Sequence, residues 1–100
     1  MQNTNPQEDN TYFDIPKKNR CVEILVGINM PIKIAREQIK TRCLDLFSVR
    51  NNVTDDIIGL IAENFVDMKE IHLGQCPYIT STSIRILMHK CYWLSVIDFT

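Results

Sequence analysis

An α/β fold is predicted for this chain, a short solenoid of strand-then-helix units with a helical N-terminal cap. Three observations predict it. The triplets Leu44-Asp45-Leu46, Ile71-His72-Leu73 and Ile97-Asp98-Phe99 recur at separations of 27 and 26 residues. Each alternates apolar, polar, apolar, as a half-buried strand does. The other apolar positions recur in step: Val49 with Cys76, Val53-Thr54 with Ile79-Thr80, Ile58 with Ile84, Ile61 with Leu87, Phe65 with Cys91, and Met68 with Leu94. A fixed period of this size signals stacked repeats.

In chain order, residues 1–14 are nearly all polar and read as a disordered tail. Residues 15–42 read as an N-terminal cap or an irregular first repeat. Ile15-Pro16 and the basic cluster Lys17-Lys18-Asn19-Arg20 form its hinge. Cys21-Val22-Glu23-Ile24-Leu25-Val26-Gly27 is short, rich in β-branched residues and ends in Gly, which favours a strand over a short helix. Pro31 suits a helical first turn, and Ile32, Ala35 and Ile39 make one apolar stripe up to Arg42.

The repeats occupy 43–100, divided as 43–70, 71–96 and a terminal strand 97–100. In the first unit Thr54 is the N-cap, and Asp55 and Asp56 set negative charge at the positive end of the helix dipole. Ile57, Ile58, Ile61 and Phe65 line its inner face, with Gly59 as the one poor helix former. In the second unit Thr80 or Ser81 caps, and Ile84, Leu87, Met88 and Cys91 line the face.

Composition narrows the function classes. The hydrophobic fraction of 45% and charged fraction of 23% are those of a folded domain. A net charge of −1 removes the bulk electrostatic case for nucleic acid or an anionic membrane. No apolar run reaches the roughly 20 residues that cross a bilayer, and the start lacks the pattern of a signal peptide. The chain therefore reads as cytoplasmic or nuclear, where Cys21, Cys43, Cys76 and Cys91 stay reduced. None of these cysteines has the spacing of a zinc motif, and the Asn52-Val53-Thr54 sequon reads as accidental. With three glycines there is no phosphate-cradling loop, and no nucleophile elbow is present. The chain is read as no enzyme, with no cofactor, no metal and no small-molecule substrate.

Leu73-Gly74-Gln75-Cys76-Pro77-Tyr78-Ile79-Thr80, followed by Ile84, Leu87, Cys91 and Leu94, resembles the leucine-rich repeat of the cysteine-containing subtype. Val53-Thr54-Asp55 supplies the same signature in the first unit. The first unit departs at both cysteines, with Val49 and Phe65, and the second carries Ser81 at the Asp position. The resemblance covers residues 42–100. It implies a leucine-rich-repeat solenoid with parallel strands on the concave side and helices on the convex side. It also implies a protein-binding scaffold, as in the substrate-recognition arcs of F-box ubiquitin ligases. Ile15-Pro16, Glu23-Ile24-Leu25, Ile28 and Met30-Pro31 faintly resemble an F-box, but the spacing departs twice and no Trp follows.

On that reading Asp45, His72 and Asp98 stack about 4.8 Å apart on adjacent strands. Cys43, Glu70 and Val96 flank them on one side, and Phe47, Gly74 and Thr100 on the other. Arg42, Lys69 and Ser95 lie one step further out. The partner-binding residues are therefore Arg42, Asp45, Phe47, Lys69, Glu70, His72, Ser95 and Asp98, joined by Trp93 in the turn before the last strand. Asp45, His72 and Asp98 include only one strong metal ligand and complete no cage. Cys76 and Cys91 take inward positions, where a thiol acts as a small apolar group. Partner protein is expected at the concave face and at the open edge of the C-terminal strand. The alternative is a structural subunit whose open solenoid end is completed by a partner in a larger assembly.

Overall fold

The structure is a computed structural model that describes residues 6–100, with side-chain environments from residue 15 onward. Helix α1 spans Pro6–Gly27, α2 Ile32–Thr41, α3 Asp55–Asn64 and α4 Ser81–Lys90. Strands β1 (Cys43–Asp45), β2 (Glu70–His72) and β3 (Val96–Asp98) form one parallel sheet in the order β1-β2-β3. A 3₁₀ turn at Phe47–Asn52 links β1 to α3.

This overturns the expected leucine-rich-repeat solenoid. The described chain is mostly helical, and its sheet is three strands of three residues each. The period of 26–27 residues is met by two parallel β-α-β crossovers, which any parallel pair requires. A solenoid needs units that each bury their core against a like neighbour. Here the N-terminal side of the core is instead closed by α1, packed on both α2 and α3.

The segment Cys21–Gly27 is helical, where a strand was expected. Cys21, Leu25 and Ile28 are buried at i, i+4 and i+7, one side of a helix. Asn29 then turns left-handed at φ 82°. The Met30 N–H donates to the Leu25 carbonyl and the Asn29 N–H to the Val26 carbonyl, both at 3.0 Å. This is a Schellman ending, with Asn in the position that tolerates positive φ. Residues 1–5 of the expected tail lie outside the described residues; from Pro6 the backbone belongs to α1.

Two further expectations shift. In α2, Ala35 and Ile39 are buried but Ile32 faces out. In α4 the inner face is Ser83 and Leu87, continued by Cys91, while Ile84 is half-buried and Met88 is 71% exposed. Ser83 takes the inward position, where its Oγ donates to Asp55.

The helix starts are capped as their sequences require. Thr54 Oγ1 accepts from the Ile57 N–H, and Thr80 Oγ1 from the Thr82 N–H. Beneath them Leu44, Leu46, Val53, Ile58, Ile61, Phe65, Met68, Ile71 and Leu73 form a continuous buried core. Helix α2 packs on β1, and its Gln38 Oε1 accepts from the Asp45 N–H at 2.9 Å. At the other side of the sheet β3 pairs only with β2 among the described residues. Burial falls off accordingly, with Ile97 half-buried and Val96 exposed.

Candidate functional site

The middle residue of each strand, Leu44, Ile71 or Ile97, points to the core, so its neighbours point to the opposite face. The register pairs Cys43 with Glu70 and Asp45 with His72, then Glu70 with Val96 and His72 with Asp98. Cys43, Asp45, Glu70, His72, Val96 and Asp98 therefore share one sheet face.

His72 is the centre of that face. Its Nδ1 lies 3.1 Å from Asp98 Oδ2 and its Nε2 3.3 Å from Glu70 Oε1. The same Glu70 oxygen accepts from Cys43 Sγ at 3.6 Å. Asp98 is held in turn by Thr100, whose N–H and hydroxyl donate to Oδ1 at 2.9 and 2.6 Å. Gly74 makes room for this segment, since a Cβ there would stand 3.0 Å from the Thr100 carbonyl carbon.

The electrostatics follow from these contacts. The hydrogen bond to Asp98 raises the His72 pKa most; desolvation opposes it, and the hydrogen bond to Glu70 adds a lesser upward push. The Thr100 hydrogen bonds, with that of His72, bring Asp98 down to about 2. Desolvation, then the Glu70 carboxylate, raises the Cys43 thiol. The face thus carries a negative field that favours a proton or another cation at its centre.

The structure brings Glu70, His72 and Asp98 of the expected contact strip into one hydrogen-bonded group. Asp45 is on the same face, with Oδ1 turned to accept from the Phe47 N–H at 3.0 Å. Phe47 is exposed and carries the Arg50 guanidinium 4.1 Å above its ring. Arg42, Lys69 and Ser95 sit at the start of the sheet. The Arg42 carbonyl accepts from the Lys69 N–H, and the Lys69 carbonyl from the Ser95 N–H. Arg42 Nη1 is 4.0 Å from Asp67, whose main partner is Lys18 Nζ at 2.8 Å. Lys18 of the basic cluster is thus committed to an internal ion pair.

Trp93 lies in the turn between α4 and β3 and is 62% exposed. Its ring meets that of Tyr92 edge-on at 5.2 Å, and Tyr92 is 84% exposed. No family model, curated protein or solved structure matches the chain. The reading of the site therefore rests on its own chemistry.

The sequence reading did not assemble Cys43, Glu70 and His72, whose donor atoms lie within 4.8 Å of one another. The signal was present. Cys43 and Glu70 are register partners, and His72 is two residues from Glu70 on the same face.

Proposed function

We propose that this chain is a protein-binding module with no catalysis of its own. The observation that carries the reading is the exposed Tyr92–Trp93 pair at the sheet's open side. Large aromatic rings left in water beside polar groups are the usual anchors of an interface. The polar face of Asp45, Glu70, His72 and Asp98 supplies hydrogen-bonding groups to orient a partner, and Trp93 supplies its apolar grip. Four free cysteines fit a reducing compartment, so we place the protein in the cytoplasm or nucleus. Among the described residues no helix is long and apolar enough to cross a membrane.

A second reading is favoured by the outer edge of β3, which pairs with no further strand among the described residues, and by the exposure of Val96 and Phe99 along that segment. An open strand next to apolar side chains invites another chain to pair with it. On this reading the protein is a structural subunit whose edge is covered within a larger assembly.

The test uses the full chain as bait, followed by titration of each recovered protein after purification. Trp93→Ala should weaken the true partner by about 30-fold, the equivalent of the ~2 kcal/mol that a central aromatic carries. Asp45→Lys combined with His72→Ala should also weaken it, with the circular dichroism spectrum retained. A partner insensitive to both variants overturns the first reading. Ubiquitin-ligase subunits among the recovered proteins would support a role in substrate recognition for a ubiquitin ligase.

A further inference from the structure

Three features compete for a further role, two of them outside the proposed interface and one within its polar face. The groove between α1 and α2, about 590 Å³ and lined by Lys18, Val22, Ile32, Arg36 and Lys40, holds no convergent set of polar groups that selects a ligand. Cys21 and Cys91 are sealed in the core. The group at Cys43, Glu70 and His72 is different, because three unlike donor atoms lie within 4.8 Å of one another.

Tetrahedral zinc takes sulfur at about 2.3 Å and nitrogen or oxygen at about 2.0 Å. Those lengths set the edges of the coordination tetrahedron at about 3.5 Å for S···O and about 3.3 Å for N···O. The corresponding separations are 3.6 Å for Cys43 Sγ to Glu70 Oε1 and 3.3 Å for His72 Nε2 to Glu70 Oε1. Two edges of the tetrahedron are therefore in place before any ion arrives, and the three donors fit within 4.8 Å.

A second observation is independent of those distances. A metal-bound histidine characteristically donates its other ring N–H to a carboxylate, which fixes the tautomer and aims the free nitrogen at the ion. Asp98 Oδ2 stands at His72 Nδ1 in that role, 3.1 Å away, and is itself anchored by Thr100 through its other oxygen. We propose that Cys43, Glu70 and His72 Nε2 bind a zinc ion on the outer face of the sheet, with Asp98 as the positioning residue for the imidazole.

The donor set chooses the metal. Thiolate with imidazole suits zinc, whereas magnesium and calcium take oxygen alone. Three protein donors leave the fourth position of a tetrahedral ion to water. On binding, the Cys43 S–H and the His72 Nε2–H give their protons to water and the freed lone pairs bind the ion, while Glu70 enters as its carboxylate. The ion would tie β1 to β2 and, through Asp98, to β3.

The test is titration of the full chain with Co²⁺, which reports thiolate ligation and four-coordination in its absorption spectrum. The wild-type protein should bind one ion with a sulfur-to-cobalt band and intense visible transitions, and Zn²⁺ should displace it. Cys43→Ser and His72→Gln should lose that spectrum, and Cys76→Ser should keep it. Asp98→Asn should weaken binding by about 10- to 100-fold without removing the thiolate band. Zn²⁺ should also slow alkylation of Cys43 relative to Cys76 in the wild-type chain, which needs no variant to fold. Absence of the thiolate band, its persistence in Cys43→Ser, or unchanged alkylation of Cys43 overturns the site. Unaltered affinity in Asp98→Asn overturns the positioning role.

Discussion

The carboxylate of Asp55, in the first turn of α3, accepts both from the Thr80 backbone N–H at 2.9 Å and from its hydroxyl at 2.7 Å. One side chain thus joins the starts of two successive helices. Ser83 Oγ donates to the same carboxylate, which satisfies a hydroxyl that is fully buried.

Removing Asp55 should therefore cost more than removing one cap. Thr80→Ala is expected to destabilise by about 1 kcal/mol, the usual cost of a lost N-cap. Asp55→Ala should exceed it, because the buried Ser83 hydroxyl then loses its acceptor. Urea denaturation of the two variants gives the order. The Ser83 and Thr80 hydrogen bonds lower the Asp55 pKa from 3.8, so its contribution is complete above pH 3.8 and is lost as pH falls through the lowered value. The gap between wild type and Asp55→Ala should narrow in that acid range, and a constant gap would count against the clamp.

His72 has the opposite sign. Its pKa is raised from 6.5, so its ion-pair contribution is complete below pH 6.5 and is lost as pH rises through the folded value. Proton NMR titration in metal-free buffer should place the His72 midpoint above 6.5, and Asp98→Asn should lower it. A midpoint at or below 6.5 in the wild-type chain would contradict the observed contacts.

Core and surface should respond differently to truncation. Phe65, which ends α3, is fully buried, and Phe65→Ala should cost about 3–5 kcal/mol. Met88, expected inside from its spacing, is largely exposed, and Met88→Ala should stay within about 0.5 kcal/mol of wild type. The denaturation midpoint of Met88→Ala, with Phe65→Ala as the buried reference, decides between the expected and the observed face of α4.

The four thiols should divide by burial. Desolvation pushes Cys21 up to about 12 and Cys91 up to about 11, and both side chains are sealed from solvent. Cys43 and Cys76 are half-buried. Alkylation of the native metal-free chain, mapped by mass spectrometry, should modify Cys43 and Cys76 first and the buried pair only on unfolding. Early loss of Cys21 or Cys91 would place the helix packing in error.

The sequence alone carried the three strands and the cap at Thr54, and it narrowed the second cap to Thr80 or Ser81. Leu44, Ile71 and Ile97 alternate with polar neighbours, and their spacing sets the register in which Asp45, His72 and Asp98 align. Thr54 and Thr80 mark their helices because a hydroxyl before an apolar stripe has a local partner to satisfy. Only the tertiary structure decided the rest. Cys21–Gly27 is nearly continuous in apolar residues, and such a run has no period that separates strand from helix. Contact with α2 and α3 made it helical, and that helix turned an expected repeat solenoid into a mostly helical domain with one small sheet. The meeting of Cys43, Glu70 and His72 was likewise hidden. Register places Cα atoms side by side, whereas a site depends on where side chains of different length bring their donor atoms.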